Sequence, residues 1–181
     1  MKFEVVEKPN EEPISLEDAK LFLRVDSDEE DDLIKTMITT ARTLAEGIQG
    51  RTLPEQELKA YFDSFPSKSD PLKLPRPPVK EIKGIKYTDK DGNQQEITEY
   101  EADLHAEPAL IYADWPATKD KPNVVEVEYE AGFDVIPQPT IHAMYLLLSH
   151  LYEQRDIVID AQTNEVPFTV TMLLNADRVW Y

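Results

Sequence analysis

The chain has 181 residues and no cysteine, and its 19 Lys and Arg against 36 Asp and Glu give a formal net charge of -17. Without cysteine, disulfides, thiol nucleophiles, zinc–thiolate sites and iron–sulfur clusters are excluded, and an intracellular protein or one assembled inside a cell is favoured. The acidity disfavours binding to nucleic-acid phosphates or anionic lipid, which depends on clustered Lys and Arg.

The first residues carry acid where a signal peptide needs an apolar run, and the longest apolar run, residues 143–148, is too short to span a bilayer. We therefore expect a soluble, unexported protein with no membrane partner. The length fits one ordinary domain, or a core with an insert.

Two helices are predicted in the first 50 residues. Ser15 can cap the first helix, with Asp18 at the reciprocal position of a weak capping box. The second helix spans residues 28–50, opens on five acids and ends at Gly50, which suits a left-handed cap. Its apolar residues follow helical spacing and are Leu33, Ile34, Met37, Ile38, Ala41, Leu44, Ala45 and Ile48.

The next region, residues 51–136, is rich in proline and in short β-prone runs. It predicts strands at about 58–62, 79–88, 94–100, 109–112 and 124–130. Asp91 and Gly92 form the predicted tight turn between the second and third of them.

A nearly all-apolar helix is predicted after Pro137 and Pro139. A helix that is apolar around most of its circumference must be covered on more than one side, by its own subunit or by neighbours. The apolar character of this helix therefore favours a role in assembly over a role in catalysis. Its main stripe, which we assign to a subunit interface or to the core, is Ile141, Met144, Tyr145, Leu148 and Tyr152.

The end of the chain combines a polar stretch, residues 156–165, with a last short helix or turn. Its apolar residues are too few to fold alone, so we expect the segment to become ordered on meeting a neighbour or partner. The predicted docking residues are Phe168, Val170, Leu173, Leu174 and Trp180.

These elements predict an α+β fold. The helical core combines the N-terminal helix pair, the helix after Pro139 and the short C-terminal helix, and a small antiparallel β subdomain is inserted in it. The expected division is 1–50 and 137–181 for the helical core, and 51–136 for the β subdomain.

No motif for catalysis is recognisable, and we predict no catalytic residue, cofactor or metal. The chain lacks a Gly-x-Ser-x-Gly elbow and a phosphate-binding loop, and has five glycines. His150 and Glu153 share a helical face, but a metal site needs further ligands, so a structural hydrogen bond is favoured for His150. The acids of residues 28–32 point around the helix axis and do not form a calcium loop.

Taken together, the order and spacing of these pieces resemble the gp6-like head–tail connector proteins of tailed bacteriophages, in the longer branch with a β insert. The segments that carry the resemblance are residues 12–20, 23–26, 28–50, 74–79, 115–116, 129–133, 137–155 and 167–178.

The resemblance implies a structural virion protein, an adaptor of phage or prophage origin that acts in virion assembly after DNA packaging. It implies a homo-oligomeric ring below the portal protein that extends the DNA conduit and carries a head-closure or tail-completion protein. DNA would pass through without sequence-specific binding. The protein would be in the host cytoplasm during assembly and then at the head–tail junction.

The alternative interpretation is an acidic DNA mimic, a decoy that binds a host DNA-binding protein. A decoy is expected to bury its apolar surface within one subunit, whereas a ring former leaves some for its neighbours.

Overall fold

The computed structural model describes residues 2–68, 70–154 and 167–179. It has helices and antiparallel sheets, which confirms the predicted α+β class. The chain divides into two compact units: a sheet unit of residues 2–10 and 54–134, and a helical unit of residues 11–53, 135–154 and 167–179.

The helical unit contains four helices: α1 (Leu16–Leu23), α2 (Asp31–Gln49), α3 (Gln138–Glu153) and α4 (Phe168–Asn175). Helix α2 packs against α3, and both α1 and α4 pack on this pair. Two predicted caps are confirmed. The Ser15 hydroxyl accepts a hydrogen bond from the Asp18 backbone N–H at 3.0 Å, and Gly50 ends α2 with a left-handed φ of 68°.

Helix α2 buries a narrower stripe than its sequence pattern indicates. Ile34, Ile38 and Ala41 are at most 2% exposed, whereas Leu33 is 41% and Leu44 38% exposed. The apolar pattern is wider than the face that α1, α3 and α4 cover, because leucines at the flanks of the stripe still satisfy helical spacing. The helix also begins at Asp31 rather than at residue 28.

The sheet unit is antiparallel throughout. Its five-stranded sheet has the order β1-β2-β8-β4-β5, and its three-stranded sheet the order β3-β7-β6. The strands are β1 (Lys2–Glu7), β2 (Gln56–Phe62), β3 (Leu72–Leu74), β4 (Val79–Thr88), β5 (Gln94–Glu96), β6 (Glu101–Asp103), β7 (Ala109–Tyr112) and β8 (Val125–Ala131).

Sequence patterns located β2, β4, β7 and β8 to within two residues, and these predictions are confirmed. They missed β1, β3 and β6, and β5 is shorter than the expected strand at 94–100. The missed β3 and β6 have three residues each, too few to show alternation. Strand β1 pairs with β2, so the chain start lies in the sheet unit although the predicted division placed residues 1–50 in the helical core.

One hydrophobic cluster joins the two sheets of the sheet unit. Phe65 stacks on Trp115 with ring centroids 4.7 Å apart and meets the Tyr87 ring at 5.4 Å. The Tyr129 side chain is fully buried and donates its hydroxyl hydrogen to the Pro75 carbonyl at 2.7 Å. This bond ties the proline-rich segment before β4 to the centre of the sheet.

Candidate interaction surfaces

The predicted apolar stripe of α3 is covered to a large extent by its own unit. Met144 and Leu148 are fully buried, while Ile141, Tyr145 and Tyr152 are half-buried. Helices α1, α2 and α4 all pack on α3, so the apolar surface of α3 is covered on several sides within its own unit. The stripe therefore contributes to the subunit core, and its role in an interface stays a prediction.

Two aromatic side chains of α3 connect it to the other helices. The Tyr145 ring lies 4.8 Å, centroid to centroid, from the Phe22 ring of α1. Burial raises the pKa of the Tyr145 hydroxyl, and the Asp18 carboxylate adds to this effect. At the other end, the Tyr152 hydroxyl donates to the Glu30 carboxylate at 2.5 Å, just before α2 begins.

The predicted docking residues divide between the core and the surface. Val170 and Leu174 are fully buried, and Leu173 is half-buried. Phe168 is 82% exposed, and Met172, which is not among the predicted docking residues, is 67% exposed. Helix α4 therefore has two faces: one packs on α2 and α3, and the other faces solvent.

Trp180 and residues 155–166 lie outside the described residues. The docking role of the segment, and its ordering on contact with a partner, therefore stay predictions.

The chain after α4 is anchored to the end of α2. The Arg51 side chain is 7% exposed, and its Nε donates to the Asp177 backbone carbonyl at 2.6 Å. The Val179 backbone N–H donates to the Gln49 carbonyl at 2.9 Å. These bonds join residues more than 120 positions apart in sequence, so no local pattern could have identified them.

A buried ion-pair network holds the start of the helical unit. Arg42 is 7% exposed and lies between two carboxylates, Glu12 at 2.7 Å and Glu46 at 2.9 Å. Glu46 also accepts from the Leu53 backbone N–H at 3.0 Å, beside the chain that leads to β2. The four-residue spacing of Arg42 and Glu46 was the available signal in the sequence.

The acidic opening of α2 is partly neutralised by α1. The Lys20 ammonium group lies 2.5 Å from the Asp28 carboxylate and 2.8 Å from that of Asp31. Hydrogen bonds to these carboxylates raise the pKa of Lys20, and Lys20 in turn lowers the pKa of Asp28. Asp32 is almost fully exposed and forms a surface ion pair with Lys35 at 3.1 Å, but the five acids of residues 28–32 outnumber these two lysines. This end of the helical unit is therefore a negative surface.

The solvent face of the large sheet carries cross-strand ion pairs. The Lys83 ammonium group of β4 pairs with the carboxylates of Glu57 on β2 and Glu130 on β8, and is 3.7 Å from the latter. A hydrogen bond with Glu55 raises the pKa of Glu130, and burial adds to this. Lys80 and the same hydrogen bond lower the pKa of Glu55. Such pairs stabilise the register of neighbouring strands.

Within residues 2–68, 70–154 and 167–179, no three His, Cys, Asp or Glu side chains come together in a way that could hold a metal ion. Over the same described residues, no helix has both the length and the apolar character needed to cross a membrane.

Comparison with known families finds a match over residues 13–108 to the model of the phage gp6-like head-tail connector proteins. This match covers more than half of the chain. No curated protein sequence matches the chain.

Solved structures with the same fold come from particles of a gene transfer agent (GTA). The whole chain aligns with 97% of a chain in the neck of an empty GTA particle computed with C6 symmetry, at 19% identity and a TM-score of 0.77. It aligns equally far with a chain in the virion of the native particle, at 18% identity and a TM-score of 0.78. A third match, in the native neck computed with C12 symmetry, has 20% identity and a TM-score of 0.70. The TM-scores show a shared fold, although the sequence identities are only 18–20%.

Proposed function

Because the chain belongs to the family of phage gp6-like head-tail connector proteins, we propose that it forms a ring at the head–tail junction of a phage or phage-derived particle. The observation that carries this proposal is the family match across α1, α2 and most of the sheet unit. The ring is supported by the shared fold with neck structures computed with C6 and C12 symmetry. Its work is structural, as an adaptor between two parts of a virion.

In this role, the protein binds the portal protein on one side and a head-closure or tail-completion protein on the other. The charge of -17 supports a conduit that DNA crosses without adhering, because carboxylates in excess over Lys and Arg repel phosphates. At the opening of α2, Asp28 and Asp32 have side chains that are 89% and 99% exposed, and Lys20 and Lys35 offset only part of the acidity there.

Exposed apolar side chains favour the ring over a monomeric acidic decoy. Leu21, Phe168 and Met172 are 67–82% exposed, and all lie in the helical unit. A decoy has no need for uncovered apolar side chains, whereas a ring former buries them between copies.

Negative-stain imaging and sedimentation across a concentration series test the proposal. We expect rings, or oligomers that increase with concentration, for the full chain alone or with a portal protein. A strictly monomeric profile at the highest soluble concentration, with and without portal, contradicts it. A DNA-binding protein that captures the monomer with 1:1 stoichiometry would support the decoy instead.

A further inference from the structure

The helical unit exposes two pairs of large apolar side chains on different helices. The first, the α1 patch, consists of Leu21 at 79% and Phe22 at 42% exposure. The second, the α4 patch, consists of Phe168 at 82% and Met172 at 67%. Phe168 and Met172 are four residues apart, so they lie one turn apart on the same helical face.

The arrangement of the helices keeps the two patches on different parts of the unit. Helices α1 and α4 each pack on α2 and α3, but not extensively on each other. Two different patches that must be buried together give a heterologous contact, in which each copy uses one patch on each neighbour. Repetition of such a contact gives a ring when the rotation between neighbouring copies closes on itself, and an open filament when it does not.

Charge indicates which partner the α4 patch takes. Helix α4 has no charged residue at all, although the chain carries a net charge of -17. Two copies of so acidic a chain repel one another, and their contact is less costly where at least one of the two surfaces bears no carboxylate. A basic partner would gain from the negative surfaces of the chain, and α4 offers it none.

We propose that the α4 patch of one copy packs on the α1 patch of the next copy in the ring. This inference rests on the proposed function, since it names the surfaces by which the ring closes. The contact buries Phe168 and Met172 of one copy against Leu21 and Phe22 of its neighbour.

Disulfide trapping tests the contact directly, because the natural chain contains no cysteine. The full chain with Leu21→Cys and Met172→Cys is oxidised at assembly concentration. We expect a ladder of disulfide-linked multimers, because the two Cβ atoms must come within about 4.5 Å for a bond to form. A 1:1 mixture of the two single variants should give linked dimers that contain one of each.

The matched control pairs Leu21→Cys with Val135→Cys. Val135 is 80% exposed in the same unit but lies outside both patches. This pair should give no ladder.

A second measurement removes the α4 patch. Phe168→Ser with Met172→Ser should raise the concentration needed for assembly by at least about tenfold, since two large apolar side chains lose their burial. The melting temperature of the monomer should hardly change, because both side chains are exposed in it. Val135→Ser should change neither quantity.

The outcomes separate the two proposals. Wild-type rings that persist in the double serine variant, together with the absence of the ladder, overturn the inference and leave the ring function standing. Rings that persist in this variant but no longer bind portal also overturn it, because the portal is then the occupant. A wild-type chain that forms no ring under any condition overturns both.

Discussion

The placement of the C-terminal residues depends on Arg51. Its guanidinium is buried and bonds to the Asp177 carbonyl, a group that no side-chain substitution at position 177 removes. The Asp177 carboxylate is a more distant second partner at 3.4 Å. Substitutions at positions 51 and 177 therefore test the backbone hydrogen bond and the surface ion pair separately.

We expect Arg51→Gln to lower the free energy of unfolding by about 1.5–3 kcal/mol, the range for a hydrogen bond with a charged group. Hydrogen exchange at Val170 and Leu174 should become faster, because α4 loses an attachment to α2. Asp177→Asn keeps the carbonyl acceptor and should change stability by less than about 1 kcal/mol. Unchanged exchange at both amides in Arg51→Gln would show that burial alone holds α4.

A second prediction at the residue scale concerns Tyr61. Its hydroxyl donates to the Glu4 carboxylate, which connects β2 to β1, and this bond raises the pKa of Tyr61 to about 12 from an ordinary 10.0. Because the folded pKa is raised, the stabilisation is present in full below pH 10 and is lost as the pH approaches 12.

The measurement is a pH titration of the Tyr61 ring carbon by NMR. Glu4→Gln should lower this pKa clearly, because it removes the largest cause. Glu126→Gln removes only a weaker charge effect and should lower it less. Equal shifts in the two variants would contradict the Tyr61–Glu4 hydrogen bond.

Among the elements, the end of β8 has a strict backbone requirement. Gly132 has a φ of +139°, and an added Cβ would lie 2.5 Å from the Pro54 carbonyl oxygen and 2.6 Å from the Glu55 Cα. Both neighbours are backbone atoms that cannot rotate away. By contrast, a Cβ on Gly47 in α2 would meet nothing within 4 Å.

Gly132→Ala should therefore destabilise the chain by roughly 1–3 kcal/mol. Gly47→Ala should stabilise it by roughly 0.5–1 kcal/mol, because alanine loses less backbone freedom in a helix. Urea unfolding of both variants measures the difference. A neutral Gly132→Ala would mean that the strand end shifts freely.

The orientation of α2 can be tested by placing a carboxylate on its buried side and on its exposed side. Ala41→Asp places a carboxylate at a fully buried position and should cost several kcal/mol of a total near 5–15. Leu44→Asp, at 38% exposure, should cost about 1 kcal/mol or less. Thermal melts followed by circular dichroism compare them. Equal tolerance would show that the orientation of α2 is different.

For the whole molecule, the net charge of -17 predicts the salt dependence of assembly. Repulsion between copies is screened as the Debye length falls from about 30 Å at 0.01 M salt to about 8 Å at physiological ionic strength. Oligomers in sedimentation runs should therefore become more abundant between these conditions. If they dissociate instead, ion pairs rather than apolar burial hold the copies together.

Much of the fold was predictable from local patterns. The Ser15 cap, the Gly50 cap and the long strands β4 and β8 depend on residues close in sequence, and all were located. The α+β class and the family resemblance followed from their order. Each of these features depends on a hydrophobic periodicity or a turn that lies within about ten residues of sequence.

Only the tertiary structure decided which apolar residues are covered. Leu44 and Ala41 fit the same helical pattern, and so do Phe168 and Leu174, yet one of each pair is exposed. Periodicity indicates that a helix has an apolar side, but the width of the buried face depends on which helices pack against it. The Arg51 anchor and the pairing of β1 with β2 likewise join residues far apart in sequence. Such contacts exist only once the chain has folded, so no local pattern records them.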